Sequence, residues 1–197
     1  TQLRAAYRAS VYGKLNIMFP MIGSLEDWRR ARAFAESVRR ELEAERVTVS
    51  PDVRLGIMIE IPSAAILAHR FAQEVDFASI GTNDLCQYLC AADRIEPGVR
   101  EYYQPFSPAV LITIEHVIRA FEAAGKELSM CGELAGNAKA SVLLAGMGLK
   151  KFSMSAASIG AVKMALAGAS LEEAQALAGA VLSCATQEEV TALLDAV

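Results

Sequence analysis

The stretch Asp76-Phe77-Ala78-Ser79-Ile80-Gly81-Thr82-Asn83-Asp84 decides the fold. It begins as a compact, mostly apolar run and ends on a glycine, a hydroxyl, an amide and a carboxylate. A short apolar run bounded by a turn signal reads as a strand buried on both faces. Polar chemistry then sits directly at the C-terminal end of that strand. The pattern repeats along the chain. Leu55-Gly56-Ile57-Met58-Ile59 runs into Glu60, and Leu128-Ser129-Met130 runs into Cys131-Gly132-Glu133. Residues 15–21 and 151–155 supply two more expected strands, five in all.

Helical stretches separate the strands. Ser24 is the expected N-cap of a helix reaching about residue 45, with Asp27 in the capping-partner position. The Arg and Glu residues of that helix read as a solvated face. Further helices are expected over residues 62–74 and 108–124. The C-terminal remainder is helical, with capping boxes at Ser170/Glu173 and Thr186/Glu189.

Strands alternating with helices imply parallel βα units. An open doubly wound sheet and a (β/α)8 TIM-type barrel both satisfy this. No G-x-G-x-x-G follows a strand, which disfavours a dinucleotide-binding sheet. A complete barrel has eight strands on roughly 250 residues. The α/β pattern leaves two readings: an open sheet, or an N-terminally truncated partial barrel in which residues 1–197 form the C-terminal part of one domain. Thr1 to Tyr7 reads as the middle of a helix, in keeping with a missing upstream part.

Hydrophobic residues make up 53% of the chain and charged residues 21%, a balance that supports a packed core. The formal charge of -4, with no basic stripe, argues against a nucleic-acid partner. No apolar run is long enough to cross a bilayer. The N-terminus lacks the basic start and apolar core of a secretory signal. Cys86, Cys90, Cys131 and Cys184 form no C-x-x-C pair and no disulfide framework. A reduced, cytoplasmic protein is the expectation.

In a parallel barrel all C-terminal strand ends lie on one rim, where active sites form. Glu60, Asn83, Asp84 and Cys131 could therefore converge despite their distance in sequence. Two hard carboxylate oxygens, Glu60 and Asp84, suit Mg²⁺; the competing reading has one capping a helix and the other pairing with an arginine. Arg94 could hold a metal-bound phosphate bidentately or simply pair with Asp93 at the surface. Cys131 sits at a strand end before a glycine, and a lone cysteine is more often a small buried hydrophobe than a catalyst. Cys86 and Cys90, at i and i+4, read as packing residues. Met18, Met21, Met58, Met130 and Met154 read as core filler. His69 and His116 fall within helices, away from the strand ends.

The run from Asp76 through Gly81-Thr82-Asn83-Asp84-Leu85 to Asp93-Arg94 resembles the second signature of the phosphoenolpyruvate (PEP)-utilising enzymes. Ile57-Met58-Ile59-Glu60-Ile61-Pro62 and Met130-Cys131-Gly132-Glu133-Leu134-Ala135-Gly136 resemble two further motifs of that family. Ile17-Met18-Phe19-Pro20-Met21 and the stretch from Gly146 to Ser155 match as well, in the expected order. Among family members the wording is most similar to the C-terminal barrel of enzyme I of the bacterial sugar phosphotransferase system. The resemblance implies a (β/α)8 barrel that binds PEP and Mg²⁺ and dimerises. Carried over motif by motif, it implies that Glu60 and Asp84 ligate Mg²⁺, that Asn83 and Arg94 hold the phosphoryl group, and that Cys131 protonates the enolate as pyruvate forms.

The same resemblance implies a phosphohistidine domain upstream, a phosphocarrier protein as partner, and two further phosphate-binding arginines before Thr1. Asn137 stands where related sequences often carry Asp. A chain without the upstream parts is expected not to complete phosphotransfer and to bind PEP weakly. Two other readings remain open: a Mg²⁺-dependent pyruvate or PEP aldolase or lyase, which has no need of the Cys131 motif, and a non-catalytic dimerisation module.

Overall fold

The computed structural model describes residues 1–196. Helix α1 (Gln2–Ala9) precedes strand β1 (Asn16–Phe19) and helix α2 (Leu25–Ala44). Strand β2 (Arg54–Ile59) is followed by α3 (Pro62–Ile66) and α4 (Ala68–Glu74), and β3 (Phe77–Gly81) by α5 (Thr82–Cys90) and α6 (Pro108–Ala123). Strand β4 (Glu127–Cys131) leads into α7 (Ala138–Gly146), α8 (Ala156–Gly168), α9 (Leu171–Val181) and α10 (Gln187–Asp195).

The strands pair in parallel in the order β1-β2-β3-β4. A doubly wound sheet reverses its strand order at a switch point. Here each strand lies beside the next without reversal, which is the arrangement of an arc of a (β/α) barrel.

Strand residues alternate between faces, and register decides which residues share a face. Gly56 pairs with Phe77 and Met58 with Ser79; Ser79 pairs with Ser129 and Gly81 with Cys131. One face thus carries Met58, Ser79, Gly81, Ser129 and Cys131. The other carries Ile57, Ile59, Ala78, Ile80 and Met130, all inaccessible to solvent. They share one core with Leu42 of α2, Phe71 of α4, and Ile114 and Phe121 of α6. The polar face is tied at its N-terminal end by Glu127, which accepts from Arg54 Nη1 at 3.1 Å and Lys151 Nζ at 2.8 Å.

Helix starts follow the expected chemistry. Ser24 Oγ accepts from the Asp27 N–H at 3.1 Å, and complete capping boxes close α9 at Ser170/Glu173 and α10 at Thr186/Glu189. The charges of α2 pair along its surface, Arg32 with Glu36 and Arg39 with Glu43.

Four expectations change. Residues 151–155 form only an isolated bridge, Met130 to Phe152, in place of a fifth strand. Ser153 N–H and Lys151 C=O both bond Met130, so one edge of the segment is satisfied. The helix expected over 62–74 breaks at Leu67, whose backbone leaves the helical well (φ -93°, ψ 17°). Helix α5 starts at Thr82, so Asn83 and Asp84 lie on its first turn. Of the five methionines expected in the core, Met130 is buried, Met58 and Met154 are half-buried, and Met18 and Met21 are exposed; the last two lie on and just after β1, an outer strand of the sheet among the described residues.

Candidate active site

Glu60 follows β2 directly and continues its polar face. Only 3% of the residue is exposed. Its Oε1 accepts the Met21 N–H at 2.6 Å. Met21 has φ 56°, a conformation that non-glycine residues rarely adopt. The turn after β1 is thereby wound so that one N–H faces a carboxylate on the next strand. Gly81 leaves room for the other oxygen: a Cβ there would lie 3.0 Å from Glu60 Oε2. Glu60 takes part in no ion pair among the described residues. A buried carboxylate with one neutral donor is poorly compensated, so this position suits a cation.

Gly81 is also the N-cap of α5 and offers no side-chain cap. The first-turn N–H groups of α5, at the positive end of its dipole, are left for an anion. Asn83 and Asp84 occupy that turn. Asn83 Oδ1 accepts from the Glu133 N–H at 3.0 Å. With its oxygen engaged, the Asn83 amide presents its NH₂ as the free donor. Asp84 Oδ1 lies 3.9 Å from Arg94 Nη1. Among the described residues the ion pair of Arg94 is with Asp84 and not with Asp93, whose Oδ1 accepts the Ile95 N–H at 2.8 Å.

Cys131 ends β4, its Sγ 3.6 Å from the Ile80 carbonyl. Thr82 Oγ1 donates to the Cys131 carbonyl at 3.0 Å. Gly132 has φ +98°, and a Cβ there would fall against Thr82 Oγ1 and 2.9 Å from Asn83 Oδ1; only glycine fits this crossing. Tyr103 places its hydroxyl 3.4 Å from the Asn83 carbonyl. Burial first, then the nearby Cys86 and Glu133, push its phenol up to about 12, while Arg94 pulls the other way. Burial, then Cys90, pushes the Cys86 thiol up to about 12 as well. Cys86 is therefore a packing thiol, as its spacing suggests.

An open cavity of ≈ 640 Å³ lies against this edge, lined by Asn83, Cys131, Glu133, Asn137, Ser153 and Ser155. A second, of ≈ 480 Å³, is lined by Arg94, Arg100, Tyr103 and Glu133. Glu133 is common to both. A third, of ≈ 400 Å³, opens at the other end of β4 beside Glu127 and Lys151; those two pair with each other, and strand N-termini are not where barrel chemistry collects.

The structure thus places Glu60 just after β2, Cys131 at the end of β4, and Asn83 and Asp84 on the first turn of α5 directly after β3, all at the C-terminal end of the sheet, with Arg94 Nη1 3.9 Å from Asp84. Among the described residues no group of three or more His, Cys, Asp or Glu side chains is placed to hold a metal unaided. Glu60 and Asp84 are two carboxylates at neighbouring strand and helix ends; Mg²⁺ takes oxygen donors and ordinarily completes its shell with water and substrate oxygens, so their chemistry is compatible with it. Thr82, Tyr103 and Gly132 were not singled out by the sequence. Thr82 and Gly132 stand inside the quoted motifs and carried a signal there, whereas nothing in the wording around Tyr103 marks it.

This edge, with a carboxylate pair, an uncapped helix start and a thiol, belongs to a known class. Residues 1–171 match the family of the PEP-utilising enzyme, PEP-binding domain, and the chain belongs to that family. It is 50% identical over 194 residues to the phosphoenolpyruvate-protein phosphotransferase of Staphylococcus carnosus (strain TM300), and equally to that of Streptococcus equinus. Each alignment covers 98% of this chain and 34% of the relative, so the chain spans about a third of the length of the curated relatives it matches. A citrate lyase from Burkholderia xenovorans LB400 has a similar fold, with TM-score 0.62 at 20% identity over 98% of this chain and 65% of that one.

Proposed function

We propose that this chain is the PEP- and Mg²⁺-binding part of a phosphoenolpyruvate-protein phosphotransferase, which moves the PEP phosphoryl group to a histidine of another domain and releases pyruvate. The observation that supports this reading is that three separate motifs end side by side on a parallel sheet: Gly81 packs against Glu60 and pairs with Cys131, and Gly132 packs against Asn83, the neighbour of Asp84. Glu60 and Asp84 would hold the cation, which, when bound, would draw charge from the phosphoryl and enolate oxygens. The free NH₂ of Asn83 and the guanidinium of Arg94 hold phosphoryl oxygens, and the first turn of α5 adds N–H donors for an anion. The site works by positioning and preorganised charge.

As the P–O bond of PEP breaks, phosphorus passes to the acceptor imidazole and the electron pair remains on the enolate. The Cys131 thiol gives its proton to C3, forming pyruvate, and the resulting thiolate is reprotonated from water. The fold likeness to a citrate lyase speaks to architecture alone, whereas a thiol residue lining the same cavity as Asn83 suits protonation of an enolate. His69 is exposed on α4, and His116 on α6 has Nε2 3.3 Å from the Ile66 carbonyl; neither is at the strand ends, so the acceptor histidine lies elsewhere. A cytoplasmic homodimer passing the phosphoryl group to a phosphocarrier protein completes the reading.

Calorimetric titration of the chain with PEP tests it. Binding is expected to be weak, to require Mg²⁺, and to be lost in Glu60→Gln. PEP binding of equal strength with and without the cation would overturn it.

A further inference from the structure

We propose that Thr82 is a positioning residue for Cys131, holding the thiol in register with the substrate-binding turn of α5; the catalytic half of this inference rests on the function proposed above. Thr82 is 3% exposed and opens α5. A buried hydroxyl must find a partner, and threonine ordinarily finds one in nearby backbone. This one reaches the carbonyl of Cys131, 49 residues away, at 3.0 Å.

The next residue makes the reciprocal link. Asn83 Oδ1 takes the N–H of Glu133 at 3.0 Å. Two successive side chains of α5 therefore grip the two successive peptide groups that flank Gly132. Between them Gly132 turns at φ +98°, with no room for a Cβ against Thr82 Oγ1. The carbonyl of Cys131 is clamped by Thr82, and Sγ of the same residue rests 3.6 Å from the Ile80 carbonyl, on the strand that leads into Thr82.

The direction of the Cys131 Cα–Cβ bond is consequently set from α5, the helix that also carries Asn83 and Asp84. A thiol that protonates one face of an enolate needs this coupling, because small misplacement of a proton donor costs rate without weakening ground-state binding. Mere satisfaction of a buried hydroxyl would not demand that the partner be the backbone of the proton donor.

The test compares Thr82→Val, which keeps shape and removes the donor, with Thr82→Ser, which keeps the donor. Three readouts are taken in the full phosphotransferase. The first is the alkylation rate of Cys131 relative to Cys184, by peptide mapping. The second is kcat and KM for PEP. The third is the facial selectivity of protonation of a PEP analogue bearing a methyl group on C3. Thr82→Val is expected to change the relative alkylation rate of Cys131 and to lower kcat about tenfold, with KM within about twofold, as removal of one orienting hydrogen bond allows. It is also expected to erode facial selectivity, and Thr82→Ser restores all three.

Unchanged alkylation and selectivity in Thr82→Val would overturn the proposal. So would failure of Thr82→Ser to rescue, which would assign the effect to methyl packing. If Cys131→Ala forms pyruvate at the full rate, the functional reading falls and takes the catalytic half with it. The alkylation comparison still decides whether Thr82 positions the thiol.

Discussion

Glu60 is a carboxylate taken out of water, with a backbone N–H as its recorded hydrogen-bond partner. Its surroundings are shaped to keep it there: Met21 adopts a left-handed backbone to aim that N–H, and Gly81 gives up a side chain to admit the second oxygen. Across the same edge two weak acids hold their protons more firmly than usual. Tyr103 and Cys86 both have their ionisation pushed up to about 12 by burial first. In the folded protein they stay protonated at a pH where the unfolded chain ionises them, so their contribution is intact below about pH 9 and is lost as pH climbs towards 12. Urea midpoints should therefore fall between about pH 8 and about pH 10.5. That slope should flatten in a Tyr103→Phe/Cys86→Ala variant, and an unchanged slope would refute the assignment. The sequence displayed Glu60 and Cys131 because each follows an apolar run directly, and Asn83 and Asp84 because they stand in the polar stretch after one. It could not display the Thr82–Cys131 bond, which joins side chain to backbone across 49 positions. Nor could it decide the partner of Arg94, which turns away from the adjacent Asp93 to Asp84 ten residues back.

The elements divide by how local their causes are. Strands β2, β3 and β4 were legible because apolar residues fill short runs, and the capping boxes of α9 and α10 because four residues suffice to make one. The strand expected over 151–155 has the same apolar character but forms only the Phe152 bridge. A strand is defined by its neighbours, which composition does not supply. Helix α7 shows a tertiary cause of another kind: Gly146 crosses α9 so closely that a Cβ would overlap the Ala174 carbonyl. Gly146→Ala should cost about 1–3 kcal/mol by overpacking, lowering Tm by about 2–4 °C for each kcal/mol at this size. Gly160→Ala, on α8 with nothing within 4 Å of the added Cβ, should instead be neutral or slightly stabilising through helix propensity. Equal effects of the two substitutions on thermal melting would contradict the packing account.

At the scale of the molecule, sequential parallel pairing is what makes a site from distant motifs. Each strand end stands beside the next, so Glu60, Gly81 and Cys131 share a face and an end. The same arrangement leaves surface to be covered. Strand β1 pairs only with β2 among the described residues, and α8 exposes Ile159 and Met164. Unpaired edges and apolar patches favour association, so sedimentation at roughly 0.1 mM should show a concentration-dependent oligomer; a persistent monomer would count against it. The parallel α/β class was legible from the alternation of elements and the barrel only from the motifs, while the closeness of the strand ends rests on register, which no linear pattern encodes.

The central claim is a single cation-centred mouth at the C-terminal strand ends. Mn²⁺ added with PEP to the isotope-labelled chain tests it most directly, since a paramagnetic ion broadens the amide resonances nearest to it. Broadening centred on Glu60, Asp84 and Cys131, and abolished by Glu60→Gln with the rest of the spectrum preserved, is the predicted result. Broadening centred on the surface carboxylates of α2, or unaffected by that substitution, would contradict the account.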